Sequence, residues 1–412
     1  MTRLVIDSRV LQEQINRSRG LGSYCHNLLC GLGEAWQSGT FECAYLQHRG
    51  TPWMRPEYPA PVRAFEDLGT VGRRAGLINP LLDYALRPVY RSRWPIDVLH
   101  VVEPFAHLPL YMQRHTRLVV TVHDLIPLRM RRQLLRGSTS GRLRALGVRM
   151  GLSTLRRADA VIAVSHQTRC DLRRLLHIEE RKLHVIHEAV DPATFRQTSG
   201  GGDGSRLLAR LGVAARRFVL HVGDVGERKD FRSLLRAFAS ARRELPALRL
   251  VMVGSAAVDR RFTATRAFWR HVEELGLAEN VVATGFLDAS DLVQLYQSAL
   301  ALLFPTRMEG FGLPLLEAMH CGCPVVACRL PVFRELLGPV DWLVPRGDTA
   351  AMSGEIVRLA RDDVELERRR AHGLARAALF SRATMARRTL EVYRSVVDGE
   401  RAGPREPRRE GR

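Results

Sequence analysis

The stretch ALALLFPTRMEGFGLPLLEAMHCGCPVVAC, residues 299–328, reads as strand, loop, helix and second strand. ALALLFPT (299–306) is an apolar run closed by Pro305, the pattern of a short buried strand. Gly310 and Gly312 allow backbone angles that other residues avoid, and Pro314 suits the first helical position, where its missing N–H is no loss. PVVAC (324–328) resumes the strand pattern. Two glutamates interrupt this unit. Glu309 falls in the loop after the strand, and Glu317 falls in the first turn or so of the helix. One acid in a first turn is favoured by the helix macrodipole alone. Two acids, two glycines and a proline in this order point instead to a ligand held near a helix end, where free N–H groups attract anions.

The same alternation extends along most of the chain. Apolar runs occur at 4–7, 41–46, 97–102, 117–125, 160–165 and 182–190, then again at 217–223, 248–254 and 280–286, with helical patterns between them. RQTSGGGDGS (196–205) breaks the series as a flexible connection does. Strands alternating with helices imply parallel sheets covered on both faces. The expected architecture is α/β, with two Rossmann-like domains whose parallel sheets face a central cleft. Residues 1–195 form the first domain, 196–215 a linker and 216–382 the second, with a polar, disordered tail over 399–412. In such sheets ligands bind beyond the carboxyl ends of the strands, so the loops after strands carry the chemistry.

Composition narrows the class. The 412 residues are 46% hydrophobic and 26% charged, as in a globular chain of two domains. No apolar run reaches the roughly 18–20 residues of a membrane span, and MTRLVIDSR enters strand-like sequence directly, so no signal peptide is expected. Seven cysteines without a Cys-x-x-Cys pair imply reduced thiols in a cytoplasmic protein. The net charge of +20 is concentrated in residues 129–158, which hold nine arginines and no acid. That segment is either a solvated helix or a basic surface for anionic lipid or another polyanion.

Three further loops stand out. HVGDVGERKDFRSLLRAF (221–238) places a glycine turn at Gly223, then Arg228 and Lys229 immediately before a helix, a grip for a diphosphate. The chain has two lysines, Lys182 and Lys229, against 61 arginines, so a lysine retained here suggests a need for a compact point charge. RSRGLGSYCHNLL (17–29) sets Gly20 and Gly22 before a helix, a weak signal alone. TVHDLIP (121–127) puts His123 and Asp124 at a strand's carboxyl end. A glycosidase pair is the competing reading of the carboxylates, but it needs two acids fixed across one bond. A glutamate at a helix start is better suited to accept from hydroxyls, as the acidic residue of dinucleotide folds does. The chain has no Asp-x-Asp, the short motif that holds a nucleotide diphosphate through a divalent ion. The counter-charge must then come from the protein, with no metal and no other cofactor.

Together these motifs resemble the retaining glycosyltransferases of family 4, with the GT-B architecture. The resemblance runs through RGLGSYCHNLL, TVHDL, AVSHQTRCDL, VIHEAVDPATF, VGDVGERKDF, TGFLDASDLVQLYQSA and FPTRMEGFGLPLLEAMHCGCPVVA. It implies that Glu317 accepts from the ribose hydroxyls of a nucleotide sugar and Glu309 holds hydroxyls of the donor sugar. Backbone N–H groups of Gly310, Phe311, Gly312 and Leu313 would face sugar and phosphate oxygens, while Arg228 and Lys229 stabilise the leaving diphosphate. His123 would stand near the donor sugar, Gly20 and Gly22 beside the diphosphate and acceptor. A final helix over 383–398 would cross back onto the first domain. The implied reaction moves a hexose, with mannose on GDP favoured over UDP-linked donors, to a hydroxyl of a glycan or lipid-linked acceptor. Residues 129–158 would hold the protein at the cytoplasmic membrane face. Asp224, Asp230 and Ala189 depart from the family pattern near the proposed diphosphate and hinge. The competing functions are a nucleotide-sugar epimerase or hydrolase of the same fold, and a nucleic-acid-binding protein. Aromatics of only 7% and the lack of a recognised module argue against the last.

Overall fold

The computed structural model describes residues 2–11, 20–35, 41–48, 63–67, 95–103, 115–129, 151–197, 204–254, 257–259 and 261–401. Residues 130–150 of the basic segment, 198–203 of the expected linker and 402–412 of the tail lie outside them. The chain divides into two compact units, Met1–Glu188 with the residues from Arg382 onward, and Ala189–Ser381.

The first unit is built on a parallel sheet of β1 (Thr2–Asp7), β2 (Phe41–His48), β3 (Arg63–Asp67), β4 (Val98–Val101), β5 (Arg117–Val122), β6 (Ala160–Ala163) and β7 (Leu183–Val185). Their order is β3-β2-β1-β4-β5-β6-β7. The second is built on β8 (Phe218–Val222), β9 (Arg249–Val253), β10 (Val281–Gly285), β11 (Ala301–Phe304) and β12 (Val325–Ala327), in the order β10-β9-β8-β11-β12. All pairings in both sheets are parallel. The strands β4, β6, β11 and β12 are buried at every position, because helices cover both faces of a parallel sheet. The fold class is thus the expected α/β with two parallel sheets.

The boundary between the units falls after Glu188 rather than after residue 195. The last helix runs to Arg401 and so enters the expected tail. Two further details differ from the sequence reading. RAFED (63–67) forms β3, which hydrophobic patterning passes over: only Ala64 and Phe65 are apolar in a strand at the sheet edge. Residues 204–211 of the expected linker are a helix, with Leu207 buried. The helix Arg382–Arg401 packs against the helix Gly20–Ala35 of the first unit. Gly31 permits the approach, since a Cβ there would lie 2.7 Å from the Arg382 carbonyl oxygen. Tyr393 then reaches the sheet, its hydroxyl 2.6 Å from Nδ1 of His100 on β4. His100 Nε2 lies 2.8 Å from the Thr121 hydroxyl, which in turn lies 3.0 Å from the hydroxyl of Tyr24. All four side chains are fully buried, so this polar chain is satisfied internally, as buried polar groups must be. Among the described residues no helix is long and apolar enough to cross a membrane.

Candidate active site

In the second sheet the strand order reverses between β8 and β11. Successive connections leave in opposite directions from that pair, which opens a crevice beyond its carboxyl ends. The two loops that follow these strands are Gly223–Lys229 and Pro305–Gly312, the segments whose motifs suggested a ligand.

The β8 loop is shaped by glycines. Gly223 has φ +140°, and a Cβ there would sit 3.4 Å from Cε of Lys229. Gly254, after β9, has φ +148° and lies against it; a Cβ on Gly254 would come within 2.3 Å of the Gly223 carbonyl oxygen. The chain then makes a 3₁₀ turn over Glu227–Lys229 and enters the helix Phe231–Glu244 through Asp230, whose φ of 51° is left-handed. Lys229 ends up buried, with its Nζ 4.3 Å above the centre of the Phe304 ring. His221, on β8, donates from Nδ1 to the Leu303 carbonyl at 3.0 Å; burial above all, with Lys229 close by, pulls its pKa down to about 4.

The β11 loop is laced to this turn. Arg307 N–H donates to the Arg228 carbonyl at 2.8 Å, and the Arg307 guanidinium grips Asp230 with bonds of 2.9 and 3.1 Å. Glu309 lies between both cations of the Arg-Lys motif. Lys229 Nζ is 2.8 Å from its Oε2, and Arg228 Nη1 is 3.0 Å from Oε2 and 3.1 Å from Oε1. Burial opposes the Glu309 charge, but the two cations outweigh it and hold the carboxyl below its ordinary range. For Lys229 burial wins, and its pKa is lowered despite Glu309. The two aspartates that depart from the family pattern are neutralised. Asp224 lies 3.6 Å from Arg228 and accepts from the Gly226 N–H at 2.9 Å, while Asp230 is turned onto Arg307.

Gly312, at φ +110°, caps the helix Leu313–His320, and its carbonyl accepts from the N–H groups of Leu315 and Leu316. Phe311 is buried with its ring edge on Phe380 at 6.0 Å. Glu317 is the fifth residue of this helix, one position deeper than a start at Pro314 implies, because the helix begins at Leu313 and Pro314 takes its second position. Its neighbour is Tyr296 on the helix Ala289–Ser298, whose hydroxyl donates to Oε2 at 2.9 Å. Among the described residues no cation pairs with it. Burial drives the Glu317 carboxyl up to about 7, with the Tyr296 bond pulling the other way.

In the first unit, Gly20 and Gly22 open the helix Gly20–Ala35, and Tyr24 on that helix packs edge-on against His123 with ring centres 4.6 Å apart. His123 follows β5. Its Nδ1 is 2.6 Å from Oε1 of Glu188, and its Nε2 is 3.1 Å from the Val102 carbonyl. A carboxylate and a carbonyl both accept, so this setting favours the doubly protonated imidazolium. Burial disfavours that charge, but Glu188, Glu103 and the Val102 carbonyl prevail and the His123 pKa is raised. The Asp124 carboxylate accepts from the Ile126 N–H at 2.9 Å.

Sequence reasoning thus brought Arg228, Lys229, Glu309 and Gly223 to one place, with Gly310 to Leu313 on the same loop. It missed Tyr296 and Glu188, the partners of Glu317 and His123. Glu188 lies inside VIHEAVDPATF, one of the stretches that carry the family resemblance, next to the departure at Ala189, and that was the available signal.

A family model described as Glycosyl transferases group 1 matches residues 216–362, and one described as Glycosyltransferase Family 4 matches residues 19–194. The chain is 31% identical over 193 residues to O-antigen chain mannosyltransferase B of Escherichia coli, a match covering 46% of this chain and 48% of that one. It is 31% identical over 255 residues to D-inositol 3-phosphate glycosyltransferase 1 of Catenulispora acidiphila, covering 60% of each. The matches thus span about half to three-fifths of these curated relatives. Among solved structures, sucrose-phosphate synthase from Thermosynechococcus elongatus superposes with a TM-score of 0.73 at 21% identity, covering 97% of this chain and 100% of that one. Anabaena HepE in complex with UDP and glucose gives 0.70 at 19%, covering 96% and 100%. At these identities the likeness is one of fold.

Proposed function

The chain belongs to the glycosyltransferases of group 1 and family 4, with the GT-B fold, and from that premise we propose that it transfers a hexose from a nucleotide diphosphate sugar to a hydroxyl of a glycan or lipid-linked acceptor, with retention at the anomeric carbon. The observation that carries this reading is the convergence of Arg228 and Lys229 on Glu309 where the strand order reverses. Two fixed cations there suit a leaving diphosphate, whose charge grows as the glycosidic bond breaks. A diphosphate that engages them would release Glu309 toward the hydroxyls of the sugar. Glu317 would accept from the ribose. His123 keeps the role toward the donor sugar that the family resemblance implies. In this reading the acceptor oxygen attacks from the leaving group's side, a phosphate oxygen takes its proton, and no protein nucleophile is needed.

Mannose carried on GDP is the favoured donor, because several relatives of 27–31% identity are mannosyltransferases by name. Polysaccharide assembly at the cytoplasmic membrane face is the setting, with residues 129–158 meeting anionic lipid. No divalent metal is required, since the protein itself supplies the cations. The test is nucleotide release from GDP-mannose and UDP-hexoses, with and without mannosylated lipid or oligosaccharide acceptors. The proposal expects acceptor-dependent release, unaffected by EDTA, with a product of retained configuration by NMR. Equal donor turnover without any acceptor would instead identify a hydrolase or epimerase.

A further inference from the structure

Glu317 and Glu309, both half-buried, are held in different ways. Glu309 is held by two cations, whereas the Glu317 carboxylate has one neutral donor, the Tyr296 hydroxyl at 2.9 Å, and no other hydrogen-bond partner among the described residues. Tyr296 is fully buried, and its ring is set edge-on to Phe195 with centres 6.4 Å apart. A phenol fixed this way has little freedom to turn. The two thiols near the pair add no charge: Cys321, which caps the same helix, and Cys323, just beyond it, are buried and their pKa values are pushed up, that of Cys323 to about 12.

We infer that Tyr296 is a positioning residue for the ribose of the nucleotide: it engages Oε2 of Glu317, fixes the plane of the carboxylate, and leaves Oε1 to accept from the ribose hydroxyls. This deepens the proposed donor-binding role of Glu317 and rests on it. A carboxylate without such a partner has a freely turning terminal torsion, and loses both orientation and the stabilisation of its charged form. Tyr296 also selects the kind of ligand that fits. A carboxylate with no cation beside it is poorly placed to meet another anion, but it accepts well from neutral hydroxyls. The phosphates are thereby left to Arg228 and Lys229.

The experiment is a functional-group cycle by calorimetry, with GDP and UDP and their 2′,3′-dideoxy counterparts, on wild type, Tyr296→Phe and Glu317→Gln. Wild type should lose about tenfold or more in affinity when the hydroxyls are removed, the scale of one hydrogen bond to a charged group. Tyr296→Phe should bind the ribonucleotide about tenfold more weakly and discriminate against the dideoxy form less than threefold. Its binding should also require a higher pH. Glu317→Gln, which keeps an acceptor for Tyr296, should likewise lose discrimination and supplies the result if Tyr296→Phe does not fold. A Tyr296→Phe protein with full discrimination and an unchanged pH dependence would overturn this inference alone. Failure of every diphosphate to bind wild type would overturn it together with the donor-binding reading.

Discussion

Glu309 and Glu317, eight positions apart in one strand–loop–helix unit, are held in opposite electrostatic settings. Glu309 lies 2.8 Å from Lys229 and is kept ionised, while Glu317 lies 2.9 Å from the Tyr296 phenol and is pushed up to about 7. Environments that separate two like groups are the usual mark of divided labour in a site. Here one carboxylate manages charge and the other meets neutral hydroxyls.

Lys229→Ala removes one of the two cations on Glu309. Breaking a buried ion pair by deleting one partner costs roughly 3–5 kcal/mol, and Arg228 still holds the carboxylate, so the lower end is expected. Lys229→Ala/Glu309→Ala should cost less than the sum of the two single changes. Urea denaturation of all three proteins measures the coupling.

Glu317 makes stability fall with rising pH. Its carboxyl ionises near 7 in the folded chain against an ordinary 4.5, so the folded state holds the proton more tightly. The stability this confers at acid pH is lost between about pH 4.5 and about pH 7. Glu317→Gln, which does not titrate, should therefore melt higher than wild type at pH 8, and the gap should shrink toward pH 5. Nucleotide affinity should move the other way. Differential scanning fluorimetry across pH checks the first expectation.

His123 and Glu188 have the opposite linkage. The His123 pKa is raised above 6.5, so the pair stabilises the fold fully below that value and loses its effect as pH rises through the folded value. The stability difference between wild type and Glu188→Gln should narrow from pH 6 upward. In ¹⁵N-histidine NMR spectra, the His123 midpoint should be lower in Glu188→Gln.

Gly254→Ala tests the contact between the turns after β8 and β9. Its Cβ would meet the Gly223 carbonyl oxygen at 2.3 Å, at a φ that alanine resists. The cost should exceed about 1 kcal/mol, and nucleotide affinity should fall because Gly223 must move. Gly276→Ala, also at positive φ but with nothing within 4 Å, should cost less and leave affinity unchanged.

Much of the fold was legible because parallel strands buried on both faces print uninterrupted apolar runs, as ALALLF and PVVAC do. RAFED escaped because an edge strand needs no such run. The Arg-Lys turn and the Glu309 loop were readable as motifs, yet their meeting depends on β8 and β11 being neighbours, which the sheet order decides. The partners of Glu317 and His123 were hidden for the same reason: Tyr296 and Glu188 lie 21 and 65 residues away in sequence and are brought close by packing. A tyrosine inside an amphipathic helix looks like any core residue until its hydroxyl is seen to face a carboxylate.

The central claim, that the β8 and β11 loops hold a nucleotide diphosphate sugar, is tested most directly by a thermal-shift screen of GDP-, UDP- and ADP-sugars against wild type, Glu317→Ala and Lys229→Ala. A ligand at a hundredfold excess over its Kd stabilises by about 2.7 kcal/mol, a readily measured shift. The account predicts that one nucleotide class raises the melting temperature of the wild type and fails to raise that of either variant. A well-folded wild type that responds to none, or variants that respond as fully as it does, would contradict it.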